Sequence, residues 1–167
     1  MRKPPQIKKI LVPIDFSSSS DKTVDFASTL AKQFNAFLIL MHVIDSAPYS
    51  VTDTLNVVKH RRSLEMIARS LLKNLMEPLL KRHLVVRPYL VSGTASEEIL
   101  KKARQDRVDL IVMGTHGRTG LKHALLGSVA ERVVRLSSCP VLTVRLAPSG
   151  RKRTTAQRTR ETAVTLF

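Results

Sequence analysis

Fifteen consecutive residues, Gly114-Thr115-His116-Gly117-Arg118-Thr119-Gly120-Leu121-Lys122-His123-Ala124-Leu125-Leu126-Gly127-Ser128, bring together the residue types that bind anions. Glycines let the backbone approach a ligand closely and take up positive φ. The run leaves an apolar stretch, Asp109 to Met113, and enters a helical pattern opened by the capping-box match Ser128-x-x-Glu131. A helix N-terminus offers unpaired N–H groups and a partial positive charge, which suits phosphate. Arg118 and Lys122 add cations. The spacing is not that of the common phosphate loops. No Gly-x4-Gly-Lys-Ser/Thr occurs, and Gly114, Gly117 and Gly120 fall every third residue, so Gly-x-Gly-x-x-Gly is absent too. A Walker-type NTPase and an ordinary dinucleotide dehydrogenase both lose ground.

Other residues with chemical potential have plainer readings. Asp15 closes an apolar run before Ser17-Ser18-Ser19-Ser20, where a turn or helix-cap acid is expected. The serine run lacks a Gly-x-Ser-x-Gly elbow, which argues against a serine nucleophile. His42, His60, His83, His116 and His123 show no tight metal spacing, so a metal site stays unassigned. His42 lies in an apolar run and reads as a satisfied core histidine, and His116 lies in the glycine loop. Cys139 is the sole cysteine and can form no intrachain disulfide; it reads as a small core residue.

The elements that must position these residues alternate in type. Ile10 to Ile14 is a short apolar run, followed by helical spacing at Val24, Ala27, Leu30, Ala31 and Phe34, which Asn35-Ala36 closes. Phe37 to Ile44 reads as a strand buried on both faces, a mark of parallel sheets. A long helix follows from about Leu55 to His83, then a strand over Val85 to Val91 whose Pro88 favours an edge. Thr94-x-x-Glu97 is a capping box opening a helix through Arg104. Asp109 to Met113 is the next strand, Ser128 to about Ser137 a helix, and Pro140 to Arg145 a fifth strand. The order β-α-β-α-β-α-β-α-β predicts an α/β fold: one doubly wound parallel sheet with helices on both faces. Residues 1–146 form the expected domain. Residues 147–167, with Arg151, Lys152, Arg153, Arg158 and Arg160 against Glu161, read as a disordered basic tail.

Composition bounds the function. The chain has 167 residues, 43% hydrophobic and 25% charged, with no Trp, so aliphatic residues fill the core of a soluble domain. No run of 18 apolar residues exists, which predicts no membrane span, and the N-terminus lacks an apolar signal core, which predicts a cytoplasmic protein. Twenty-eight Lys and Arg against 13 Asp and Glu give +15, a field that attracts anions of any kind.

The motifs taken together resemble the universal stress protein family. Gly114-x2-Gly117-x9-Gly127-Ser128 is similar to its ATP-binding signature, Lys9-Ile10-Leu11-Val12-Pro13-Ile14-Asp15 to its opening strand and acid, and Asp109 to Gly114 to its fourth strand. Gly127 to Val133 and Cys139-Pro140-Val141-Leu142 resemble its last helix and strand. The likeness covers roughly residues 7 to 146 and implies a five-stranded sheet of order 3-2-1-4-5. It implies ATP in the crevice between strands one and four, and the ATP-binding branch of the family. Asp15 and the backbone near Pro13 and Val43 would lie by adenine and ribose; Gly114, Gly117, Gly127, Ser128 and Val129 would hold phosphates; Met113 and Arg118 complete the candidate set. A divalent cation accompanying ATP, and a homodimer through the strand around Val141 to Val144, are further expectations. The function implied is a nucleotide-dependent regulatory switch or sensor of the stress response. The alternatives are a slow ATPase, for which no clear general base or arginine finger is apparent, and a basic nucleic-acid-binding accessory protein, for which aromatic stacking platforms are scarce. The basic tail would supply polyanion contacts.

Overall fold

The computed structural model describes residues 6–45, 54–115, 126–146 and 162–166. Its elements in chain order are β1 (Lys9–Pro13), α1 (Ser18–Phe34), β2 (Phe37–Asp45), α2 (Thr54–Lys81), β3 (Val86–Gly93), α3 (Ala95–Gln105), β4 (Leu110–Gly114), α4 (Ser128–Leu136), β5 (Val141–Leu146) and β6 (Thr162–Leu166). One sheet runs β3-β2-β1-β4-β5-β6. Its first five strands are parallel, the expected doubly wound order.

Burial on both faces explains the uninterrupted apolar runs. Along β1, Ile10 and Val12 pack toward Val24, Ala27 and Ala31 of α1 and Leu72 and Leu79 of α2. Leu11 packs the other way, with Ile99 and Ala103 of α3 and Ala130 and Val133 of α4. The period-2 alternation of a strand therefore feeds two separate cores. At the amino edge of the sheet, Asp109 Oδ2 accepts from the backbone N–H of both Lys8 and Lys9 at 2.9 Å, pinning β1 against β4. Because the chain turns from β1 toward β2 and β3 on one side and resumes at β4 on the other, the sheet order reverses between β1 and β4. A crevice forms at the carboxyl ends of those strands.

Several local expectations hold. Asn35 ends α1 in the left-handed conformation (φ 50, ψ 43), and Pro88 lies on an edge strand. Thr94 is the N-cap of α3, but its side chain makes no capping hydrogen bond; Glu97 instead meets Arg132 of α4 at 3.1 Å. The cap of α4 is Gly127 (φ −73, ψ 159), not Ser128, which is the helix's first residue. Gly127 takes that place because its carbonyl accepts the first helical bond, from Glu131 N–H at 2.9 Å.

The main correction concerns the C-terminus. The chain was expected to leave the sheet after Arg145 and continue as a disordered tail over 147–167, yet Thr162–Leu166 forms β6, antiparallel to β5. The strand around Val141 to Val144 is therefore not the outermost one. A homodimer through it would require an edge that the chain's own β6 occupies. Residues 147–161 lie outside the described residues. None of the described helices is long and apolar enough to cross a membrane.

Candidate functional site

Four chain segments converge at the carboxyl end of the sheet. The first is the link from β1 to α1. Asp15 Oδ1 accepts from Ser17 N–H at 3.0 Å, Ser17 Oγ at 2.6 Å and Ser20 Oγ at 2.7 Å. Ser20 Oγ in turn accepts from Asp15 N–H at 3.0 Å. The serine run thus holds one carboxylate in place; Ser17, the N-cap of α1, makes no side-chain cap bond and spends its hydroxyl on Asp15. Charge-assisted bonds of this kind are the strong ones. Between them Phe16 sits at φ 60, a conformation costly for an aromatic residue. Its ring lies against His42 at 4.3 Å between centroids.

The second segment is the end of β2. His42 is half-buried; its Nδ1 lies 2.8 Å from the Ile14 carbonyl oxygen, so the ring bridges the ends of β1 and β2 as well as meeting Phe16. The plain reading of His42 as a core residue is incomplete, because the same ring lines the crevice. Val43 follows it on the opposite face of the strand.

The third and fourth segments are the end of β4 and the start of α4. Buried Thr115 donates its N–H to Val144 O at 3.2 Å and accepts from Gly127 N–H at 2.7 Å. That second bond ties the two ends of the glycine-rich loop together. The N–H groups of Ser128, Val129 and Ala130 precede the first intrahelical bond, so they stand in the anion-attracting first turn.

These segments enclose a cavity of about 620 Å³, within the usual range for small-molecule sites. Pro13, Asp15, Val43, Met113, Gly114, Gly127, Ser128 and Val129 all line it. Gly117, Arg118 and His116 lie outside the described residues. The sequence reading missed Phe16, Ser20, His42 and Thr115, and missed the apolar wall that α2 contributes through Leu64, Ile67, Ala68 and Leu71. Only the serines carried a signal, as side chains able to hold Asp15. Among the described residues no group of three His, Cys, Asp or Glu could hold a metal ion. Cys139 stands apart from the cavity. Partial burial raises its thiol pKa above the ordinary 9.0, against a lowering hydrogen bond from Ser137.

Comparison with known proteins gives this geometry a context. The model of the universal stress protein family matches residues 6–145. The universal stress protein YxiE of Bacillus subtilis is 37% identical over 145 residues, spanning 82% of this chain and 98% of its own. The universal stress protein MJ0577 of Methanocaldococcus jannaschii is 36% identical over 153 residues, spanning 83% of this chain and 94% of its own. The solved structure of MJ0577 superposes with a TM-score of 0.76, covering 86% of this chain and 99% of that one. A universal stress protein solved in complex with cAMP shares the fold at a TM-score of 0.59 and 24% identity, covering 80% of this chain and 93% of that one.

Proposed function

The chain belongs to the universal stress protein family, and from that premise we propose that its crevice binds ATP and that the protein works as a nucleotide-dependent regulatory switch. The observation that carries this reading is the convergence of Asp15 and Val43 on one wall with Gly114, Gly127, Ser128 and Val129 on another, around one cavity. Asp15, the backbone near Pro13, and Val43 receive adenine and ribose. The first-turn N–H groups of α4 and the glycines receive phosphates. The intact Gly114-x2-Gly117-x9-Gly127-Ser128 spacing supports the ATP-binding branch, and a relative of the same fold has been solved with a nucleotide. A divalent cation, where one accompanies the nucleotide, would offset phosphate charge beside the first turn of α4. The switch acts by changing what the protein contacts when nucleotide is bound. The net charge of +15 supports contact with polyanions as a second property.

Native mass spectrometry of protein purified without added nucleotide tests the premise: an adduct of ATP mass is expected, and protein that stays unadducted after incubation with ATP would refute it. Gly127→Val provides the site test. Gly127 has a backbone conformation that any residue adopts, so the fold is expected to persist by circular dichroism. The branched side chain intrudes on the cavity, and calorimetric titration is expected to show ATP binding lost. Unchanged affinity in the folded variant would rule out this location.

A further inference from the structure

We propose that α2 carries a docking stripe for an anionic lipid surface, made by Arg62, Met66, Arg69, Lys73 and Leu80. The first four recur at i, i+4, i+7 and i+11, and Leu80 follows about five turns after Arg62, so all five share one flank of the helix. All five are exposed: Arg62, Arg69 and Lys73 stand in water, with Met66 at 65% and Leu80 at 51%. No acid stands in the stripe. The acids of α2, Glu65 and Glu77, pair with Arg61 at 3.5 Å and Lys81 at 3.1 Å. Among the described residues none of the three stripe cations forms an ion pair. The other flank of α2 serves the crevice, which Leu64, Ile67 and Leu71 line. Ala68, Leu72 and Leu79 are buried. The stripe turns away from both.

Scattered exposed apolar side chains are normal on a protein surface. On α2 they are concentrated: of the eight large apolar side chains exposed among the described residues, Met66, Ile67, Leu71 and Leu80 stand on this one helix. Ile67 and Leu71 edge the crevice. Met66 and Leu80 line no cavity, and they share their flank with cations. That mixture fits a surface that is anionic on top and apolar beneath. The aliphatic stems of Arg and Lys lie along apolar neighbours while their heads stay with phosphate, and Met66 and Leu80 reach the acyl boundary. A nucleic-acid duplex would match the cations, through its phosphates, but give the two apolar side chains nothing to enter. A partner helix needs a groove, whereas one helix flank is a convex ridge. A bilayer offers a plane to a stripe that runs about 27 Å at the helical rise. Each basic residue close to an anionic leaflet raises partitioning about fivefold, so three raise it about 100-fold. That attraction fades over about 10 Å at 0.1 M salt. The inference is independent of nucleotide binding, because the stripe lies off the crevice.

Co-sedimentation of the full chain with vesicles tests it, using phosphatidylcholine alone and a two-to-one mixture with phosphatidylserine. Binding is expected to the mixed vesicles only, and to weaken as salt rises. The combined variant Arg62→Gln, Arg69→Gln, Lys73→Gln is expected to lower the partition about 100-fold. Its circular dichroism is expected to be unchanged, because all three side chains are exposed. The basic residues between 151 and 160 could hold the protein on vesicles by themselves, so the position of contact is read separately. Met66→Cys in a Cys139→Ala chain carries an environment-sensitive fluorophore, whose emission is expected to shift to the blue on mixed vesicles. The same fluorophore at Lys101→Cys, exposed on α3, is expected not to respond. Binding that survives the triple replacement, or a fluorophore at position 66 that stays in water while the protein is bound, would overturn the proposal. A full chain that ignores mixed vesicles would refute it outright. Retention of duplex DNA through the same three cations, unaffected by Met66→Gln, would then assign the stripe to nucleic acid.

Discussion

Asp15 and Phe16 show how a few side chains set the crevice. Three donors converge on Asp15 Oδ1, and an amide in its place cannot accept from all of them while also meeting a ligand. Hydrogen bonds to a charged group are worth about 1.5–3 kcal/mol. Asp15→Asn is therefore expected to weaken ATP binding by about 10–100-fold in calorimetric titration, with the fold retained. Ser20→Ala keeps the carboxylate and removes one of its holders, so a smaller loss is expected there; equal losses would mean that orientation, not charge, dominates. Phe16 stores backbone strain at φ 60, the kind of outlier that collects at functional sites. Cys139 behaves differently. Its thiol stays protonated in the folded chain to a higher pH than in the unfolded one. Above about pH 9 the unfolded state sheds that proton first, so this group's contribution to stability falls as pH rises. Cys139→Ala is expected to flatten that part of the profile in urea titrations between pH 8 and 10, and the thiol to alkylate more slowly folded than unfolded.

At the scale of elements, the β3–α3 junction is the sharpest constraint. Gly93 has φ 154, and a Cβ there would come within 2.9 Å of Glu98 Cγ. Gly93→Ala is expected to destabilise the protein by about 1–3 kcal/mol, seen as a lower urea midpoint with an unchanged slope. The five strands and four helices of the parallel core were legible because the central strands β1, β2 and β4 are uninterrupted apolar runs buried on both faces, the edge strand β3 is marked by Pro88, and each helix repeats its apolar residues on one face. Two things escaped. The capping boxes were read from residue spacing alone, whereas the caps depend on what the acids meet in space, as Glu97 meets Arg132. β6 was invisible because five residues following an arginine-rich stretch carry no periodicity; what makes them a strand is the partner edge of β5. The crevice was legible where it rests on glycine spacing and an acid closing a strand. The Phe16–His42 contact and the α2 wall were not, because they join residues distant in sequence whose types are ordinary in a core.

For the molecule as a whole, charge and edge have to be separated before either can be assigned a role. The excess of +15 is not uniform: Arg151, Lys152, Arg153, Arg158 and Arg160 lie within ten residues, with no acid among them. Deleting the C-terminus removes that cluster but also removes β6, so any change in binding would mix lost charge with an opened sheet edge. Replacing the five basic residues by Gln leaves Thr162–Leu166 in place and changes charge alone. Binding to duplex DNA releases counterions in proportion to the phosphates neutralised, with a log–log salt slope near −0.9 per contact. If all five residues reach phosphates, the replacement is expected to make the salt slope shallower by about 4.5, to weaken binding at low salt equally for unrelated sequences, and to leave ATP affinity unchanged. Fluorescence anisotropy at several salt concentrations, with ATP titrated on the same samples, checks all three. A slope that does not move would shift the polyanion contact to the folded domain, where Arg61 and Arg62 stand exposed on α2. A tenfold loss of ATP affinity would mean that the basic cluster belongs to the nucleotide site. Because β6 begins opposite Leu146, at the carboxyl end of β5, the end of the sheet that carries the crevice, the ATP titration is the arm that discriminates.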